Sequence, residues 1–190
     1  MKRLAALAFV AFANACLAQG DPATAMPPPS ERWFSLDRTS SGYVAAGNLA
    51  GTLWAFHVRG FQMKRLGGAA STMFSIDGVV MQVRPVPRSV IKGAASGALQ
   101  AHKRYEQEHQ AATNPNLTFG DHDLCRGAKV PFEQWTAQRA GDAMVQAYVT
   151  FEVGDYVMMV VAPYENEARR KAVARALEDV CTSFQREKVA

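Results

Sequence analysis

The chain has 190 residues, 48% of them apolar, with 21 Lys and Arg against 17 Asp and Glu and a net charge of +4. That composition excludes bulk disorder, and the length suits one domain with short appendages. Beyond the N-terminus no apolar run reaches the roughly 18 residues that a membrane-spanning helix needs.

Lys2 and Arg3 precede an apolar run over 4–13, and small residues follow at Ala13, Ala15 and Ala18. A basic start, a short apolar core and small residues at its end predict a secretory signal peptide over 1–18, cleaved after Ala18. Phe12-Ala13-Asn14-Ala15-Cys16 resembles a degenerate bacterial lipoprotein box, which makes Cys16 a candidate lipidation site and membrane tether. Either reading places the mature chain in the periplasm. Loss of Lys2 and Arg3, with no acid lost, removes two of the four net positive charges. Residues 19–30 contain Gly20, Pro22, Pro27, Pro28 and Pro29 and read as a linker. A single α/β domain is expected over 31–190.

The first half of that domain reads as strands. Trp33-Phe34-Ser35-Leu36 opens it, and runs at 43–46 and 52–58 follow, punctuated by Gly42, Gly47, Gly51 and Gly60. Trp54, Phe56 and Val58 alternate onto one face, with His57 on the other. Asp77-Gly78 is a strong two-residue hairpin signal. Pairing Ile76 with Val79 puts Phe74, Ile76, Val79, Met81 and Val83 on one face. Pro85 and Pro87 are expected to end that run.

A helix is predicted over 94–112, with a thin apolar stripe of Ala94, Ala98, Ala101, Tyr105 and Ala112. His102, Glu106 and His109 share one of its faces, read either as the solvated face of a polar helix or as a metal-ligating set. The two His Cα atoms would lie about 10.5 Å apart along the axis, so both rings would have to lean inward. Residues 114–131 read as loop. Asp121-His122-Asp123 within them is an acidic cluster around a histidine, read as a turn or a weak cation site.

Val145, Ala147, Val149, Phe151 and Val153 alternate with polar residues, and Gly154-Asp155 suits a type II′ turn. The return run over 156–162 is apolar on both faces, as in a central strand covered from both sides. Pro163 is expected to end it. A last helix is predicted over 165–187, with Val173, Leu177, Val180, Cys181 and Phe184 on one stripe and Arg169, Arg170 and Lys171 in solvent. Cys125 and Cys181 both survive cleavage after Ala18. In an oxidising compartment an even pair favours a disulfide, worth about 4 kcal/mol by loop closure.

The order hairpin, central apolar strand, proline turn and helix ending at Ser183-Phe184 resembles the C-terminal end of Mog1/PsbP/DcrB-like domains. The resemblance covers about 40 residues, 145–184. It implies an α/β/α sandwich on an antiparallel sheet and a largely accessory or binding role, and carries over no site residue.

Motifs for nucleophilic, nucleotide or nucleic-acid chemistry are thin. No Gly-x-Ser-x-Gly, Walker or Gly-x-Gly-x-x-Gly motif occurs. Ser89-Val90-Ile91-Lys92 matches Ser-x-x-Lys without its companion Ser-Asp-Asn and Lys-Thr-Gly elements. Basic residues are scattered, unlike a nucleic-acid footprint. The sequence therefore predicts an α+β fold, an antiparallel sheet flanked by helices, in a non-enzymatic exported protein with no catalytic residue, no cofactor and no nucleic-acid partner. Its expected partner is another protein. It would act as an envelope accessory factor or as an inhibitor or immunity protein against a periplasm-acting toxin. The alternative is a small periplasmic metal-dependent hydrolase or metal-binding protein using His102, Glu106, His109 or His122.

Overall fold

A computed structural model describes residues 34–67 and 72–188. The predicted signal peptide, Cys16, the linker and Trp33 lie outside them. The fold is mixed α and β and dominated by two antiparallel sheets.

The smaller sheet contains β1 (Ser35–Arg38), β2 (Gly42–Leu49), β3 (Thr52–Arg59) and β11 (Gln185–Lys188), in the order β1-β2-β3-β11. The larger contains β4 (Met63–Leu66), β5 (Met73–Ile76), β6 (Val79–Pro87), β7 (Leu117–Gly120), β8 (Phe132–Arg139), β9 (Val145–Val153) and β10 (Tyr156–Tyr164). Its order is β4-β5-β6-β10-β9-β8-β7. The α-helices among the described residues are α1 (Ala98–Thr113) and α2 (Glu167–Ser183).

Both predicted hairpins form in the predicted register. Asp77 and Gly78 carry φ of 47° and 81°, the pair of positive angles that a type I′ turn requires, and Ile76 faces Val79. Gly154 has φ 56° while Asp155 does not share the positive sign, which suits type II′, and Val153 faces Tyr156.

Pro87 ends β6 as expected, opposite Tyr156, but Pro85 lies inside that strand, opposite Met158, and Pro163 lies inside β10, opposite Gln146. The cause is parity. Val83 donates its N–H to Thr72 on the β5 side, so odd residues of β6 face that side. Beyond Gln82 no described strand pairs there, and Pro85 and Pro87 leave no ladder donor missing. Pro163 likewise points past the last β6–β10 pair, Val161 with Gln82.

Four further elements depart from the reading. The predicted helix over 94–112 begins as a separate 3₁₀ turn, Ala94–Ser96, and α1 starts only after Gly97. β7 and β8 occupy stretches to which the sequence assigned no strand. The last helix stops at Ser183 rather than continuing to 187. Phe184 turns into extended backbone, φ −59° and ψ 129°, and Gln185–Lys188 pair with β3. These four residues offer no apolar group to a longer helix, whereas β3 offers an open row of backbone donors and acceptors.

The larger sheet is covered on both faces. On one, Phe74, Met81, Val83, Val149, Phe151, Met158 and Val160 join Val173, Leu177 and Val180 of α2, Phe184 just after it, and Trp54, Phe56 and Val58 of β3 in one buried cluster. On the other, α1 packs over Val86 and Val157, and a further cluster gathers Trp135, Ala137, Tyr148, Met159 and Val161.

Candidate functional site

The inward residues of α1 follow one ridge spaced by four: Ala98, His102, Glu106 and Gln110. Such a ridge drifts around the helix and matches the twist of the underlying sheet. The face read as solvated is therefore largely buried. His102 is 0% exposed, and Glu106 and Gln110 are buried with it. The third place on the ridge belongs to Gln110 and not to His109, which is half-buried and stacks on Tyr105 with centroids 6.2 Å apart. Among the described residues no group of three His, Cys, Asp or Glu is placed to hold a metal ion.

Below this ridge the sheet presents Trp135 and Tyr148, stacked with centroids 4.9 Å apart and nearly parallel. His102 meets the Trp135 ring at 6.2 Å and 61°. His102 Nε2 lies 3.6 Å from Glu106 Oε1, and Gln110 Nε2 donates to Glu106 Oε2 across 3.4 Å. Tyr148 Oη donates to Gln146 Oε1 and reaches Gln110 Oε1 at 3.5 Å. Burial pushes the Glu106 carboxyl up. The adjoining His102, with the charge of Arg84 and the amide of Gln110, outweighs that and holds it below the usual carboxylate range.

His122 is structural in this arrangement. Its Nδ1 accepts from the Leu124 N–H at 3.2 Å, so Nε2 carries the proton and donates to the Tyr148 carbonyl at 3.1 Å. Burial lowers its pKa, which favours this neutral tautomer. On either side, Asp121 pairs with Lys103 of α1 at 3.0 Å, and Asp123 pairs with Arg126. His57 of β3 has Nε2 3.3 Å from Ser41 Oγ and 3.4 Å from Thr39 Oγ1.

Cys125 and Cys181 form a disulfide pair with Cα atoms 5.8 Å apart, closing a separation of 56 residues. Both are buried, and the bridge ties the loop before β8 to α2.

A second feature lies at the turn from β3 into β4. Phe61 is 84% exposed, against 45% for Leu53, the other large apolar side chain left in solvent among the described residues. The backbone beneath it is pinned. Asp77 accepts from the Phe61 N–H and, at 2.8 Å, from the Gln62 N–H, and returns its own N–H to the Gln62 carbonyl at 2.9 Å. Tyr43 Oη donates to the Phe61 carbonyl at 3.0 Å. A Cβ on Gly60 would lie 2.2 Å from Ile76 Cγ2, so glycine is required for this close approach. Arg59, at the end of β3, is held by Asp179 of α2 at 2.6 Å. The sequence reading did not single out Phe61. The one available signal was an aromatic residue directly after Gly60 in an otherwise polar turn.

In comparisons with known proteins, no protein-family model matches the chain and no curated protein matches it. No described helix is long and apolar enough to cross a membrane.

Proposed function

We propose that the protein is a non-enzymatic, exported binding protein of the bacterial envelope that docks on another protein through Phe61. The observation that carries this reading is a large aromatic ring held out in solvent on a backbone pinned by Asp77 and Tyr43. A rigid aromatic loses little conformational entropy on docking, which suits an anchor residue at a protein interface.

Export is supported by the N-terminal pattern and by a disulfide pair compatible with an oxidising compartment. An antiparallel sheet with a helix against each face supports assignment to the Mog1/PsbP-like α/β/α sandwiches, a group of largely accessory and binding proteins. The partner is an envelope component or a toxin acting in the periplasm.

The test is crosslinking of the mature protein in envelope and secreted fractions, with Phe61→Ala run alongside. One salt-resistant protein captured by the wild type and at least tenfold depleted with Phe61→Ala supports docking through this loop, and its identity separates accessory factor from inhibitor. Equal capture by both proteins refutes it.

A further inference from the structure

The polar layer under α1 is loosely closed. His102 Nε2 to Glu106 Oε1 is 3.6 Å, Gln110 Nε2 to Glu106 Oε2 is 3.4 Å, and Tyr148 Oη to Gln110 Oε1 is 3.5 Å. The first exceeds hydrogen-bond reach and the other two are at its limit, and Tyr148 gives its one hydrogen to Gln146, so none of these contacts serves Trp135. Both ring nitrogens of His102 and the indole Nε1 of Trp135 are buried with no hydrogen-bond partner among the described residues. Both side chains are 0% exposed, so bulk water does not serve them. Buried polar groups in native proteins are nearly always satisfied, by protein or by an enclosed molecule.

The chemistry of the groups defines what would satisfy them. The Trp135 indole only donates. His102 carries at least one N–H in either protonation state. Glu106, across the layer, accepts when ionised. The complement is an oxygen that accepts from Trp135 Nε1–H and also bonds to His102. The stacked Trp135–Tyr148 pair supplies a flat wall beside it.

We propose that the layer between α1 and the Trp135–Tyr148 pair is an internal binding site for a small oxygen-bearing molecule, held by Trp135 Nε1–H and His102. The shared chemistry is one oxygen acceptor, supplied by an enclosed water or by the hydroxyl, carbonyl or carboxylate of a small co-purifying compound. The site is independent of the Phe61 docking surface.

The test uses the mature protein crystallised at high resolution in two preparations. One is as purified. The other is unfolded in guanidinium with its disulfide intact and refolded in a defined, volatile buffer. Density within about 3.2 Å of Trp135 Nε1 in both, fitting a single oxygen, supports the site with water as occupant. Larger density in the first preparation only, matched by a mass lost on refolding in native mass spectrometry, supports it with a bound compound. No density at that position in either preparation overturns the proposal. Trp135→Phe removes the donor but keeps the wall. If the same density persists unshifted in that variant, the role given to Trp135 is wrong. Where Trp135→Phe does not fold, His102→Gln serves instead, and density unmoved from its wild-type position overturns the role given to His102.

Discussion

The two faces of the seven-stranded sheet are built on opposite principles. The face toward α2 and the smaller sheet is filled by one large apolar cluster, closed by Leu177, Phe151 and Phe184 and fastened by Cys125–Cys181. The face toward α1 has two smaller apolar clusters, one with Ala98, Leu99 and Ala101 and one with Trp135, Met159 and Val161. Over the second, α1 presents His102, Glu106 and Gln110. The apolar face carries the stability. On the polar face every buried group needs a partner, so removing one partner alone is costly.

The largest expected effect lies on the apolar face. Replacing both Cys125 and Cys181 by Ser should cost about 4 kcal/mol, because the bridge restricts a long loop in the unfolded chain. Urea unfolding with and without reductant measures this. A loss below about 1 kcal/mol would mean that the bridge adds little to packing already in place.

A sharper contrast comes from paired substitutions. Leu177→Ala should cost about 3 kcal/mol, since a fully buried side chain leaves a cavity among rigid neighbours. On the polar face, His102→Leu combined with Glu106→Leu should change stability by no more than about 1 kcal/mol, because replacing both partners of a buried pair removes two desolvated groups together. Glu106→Leu alone should be the more damaging, by about 2 kcal/mol relative to the double variant, because the buried His102 and Gln110 lose the carboxylate beside them. A double variant as damaging as Leu177→Ala would erase the distinction between the faces.

The pH dependence has a definite sign. The folded-state pKa of Glu106 lies below its ordinary value, so its contribution is fully present above the unfolded carboxylate range, about pH 4.3, and is lost as pH falls through the folded value. The difference in urea midpoint between wild type and Glu106→Gln should be constant near neutrality and shrink on acidification below about pH 4. A difference that instead grows in acid would place the carboxyl's pKa above its ordinary value.

The same contrast explains what could be read in the sequence. The apolar face announces itself through period: Trp54, Phe56 and Val58 at spacing two, Val173, Leu177 and Val180 at helical spacing, and Asp77-Gly78 between two apolar runs. The pairing of Cys125 with Cys181 followed from a count of two. The polar face gave no such signal. His102, Glu106 and Gln110 look like a solvated stripe, because burial of polar residues depends on partners brought in from β6, β8 and β9. β8 was invisible for the same reason: its buried residues, Trp135 and Ala137, sit among Glu133, Gln134 and Gln138. β11 depends on an open edge of β3, more than a hundred residues earlier in the chain, that only the fold creates. The prolines of β6 and β10 needed the parity of hydrogen bonding, which no local pattern supplies.

The smallest predicted effect concerns how each helix begins. Asn166 caps α2, its Oδ1 accepting from the Arg169 N–H at 2.9 Å, and Glu167 puts a carboxylate in the first turn, where the helix dipole favours it. α1 starts after Gly97, with no side-chain cap and no acid in its first turn. Asn166→Ala should therefore cost about 1 kcal/mol. Amide hydrogen exchange should show the first turn of α1 opening before that of α2 in the wild type, and Asn166→Ala should narrow the gap by speeding exchange in α2 alone. Faster exchange at both helix starts would mean that the faces are coupled through the sheet. An unchanged α1 would show that the two helix starts open independently.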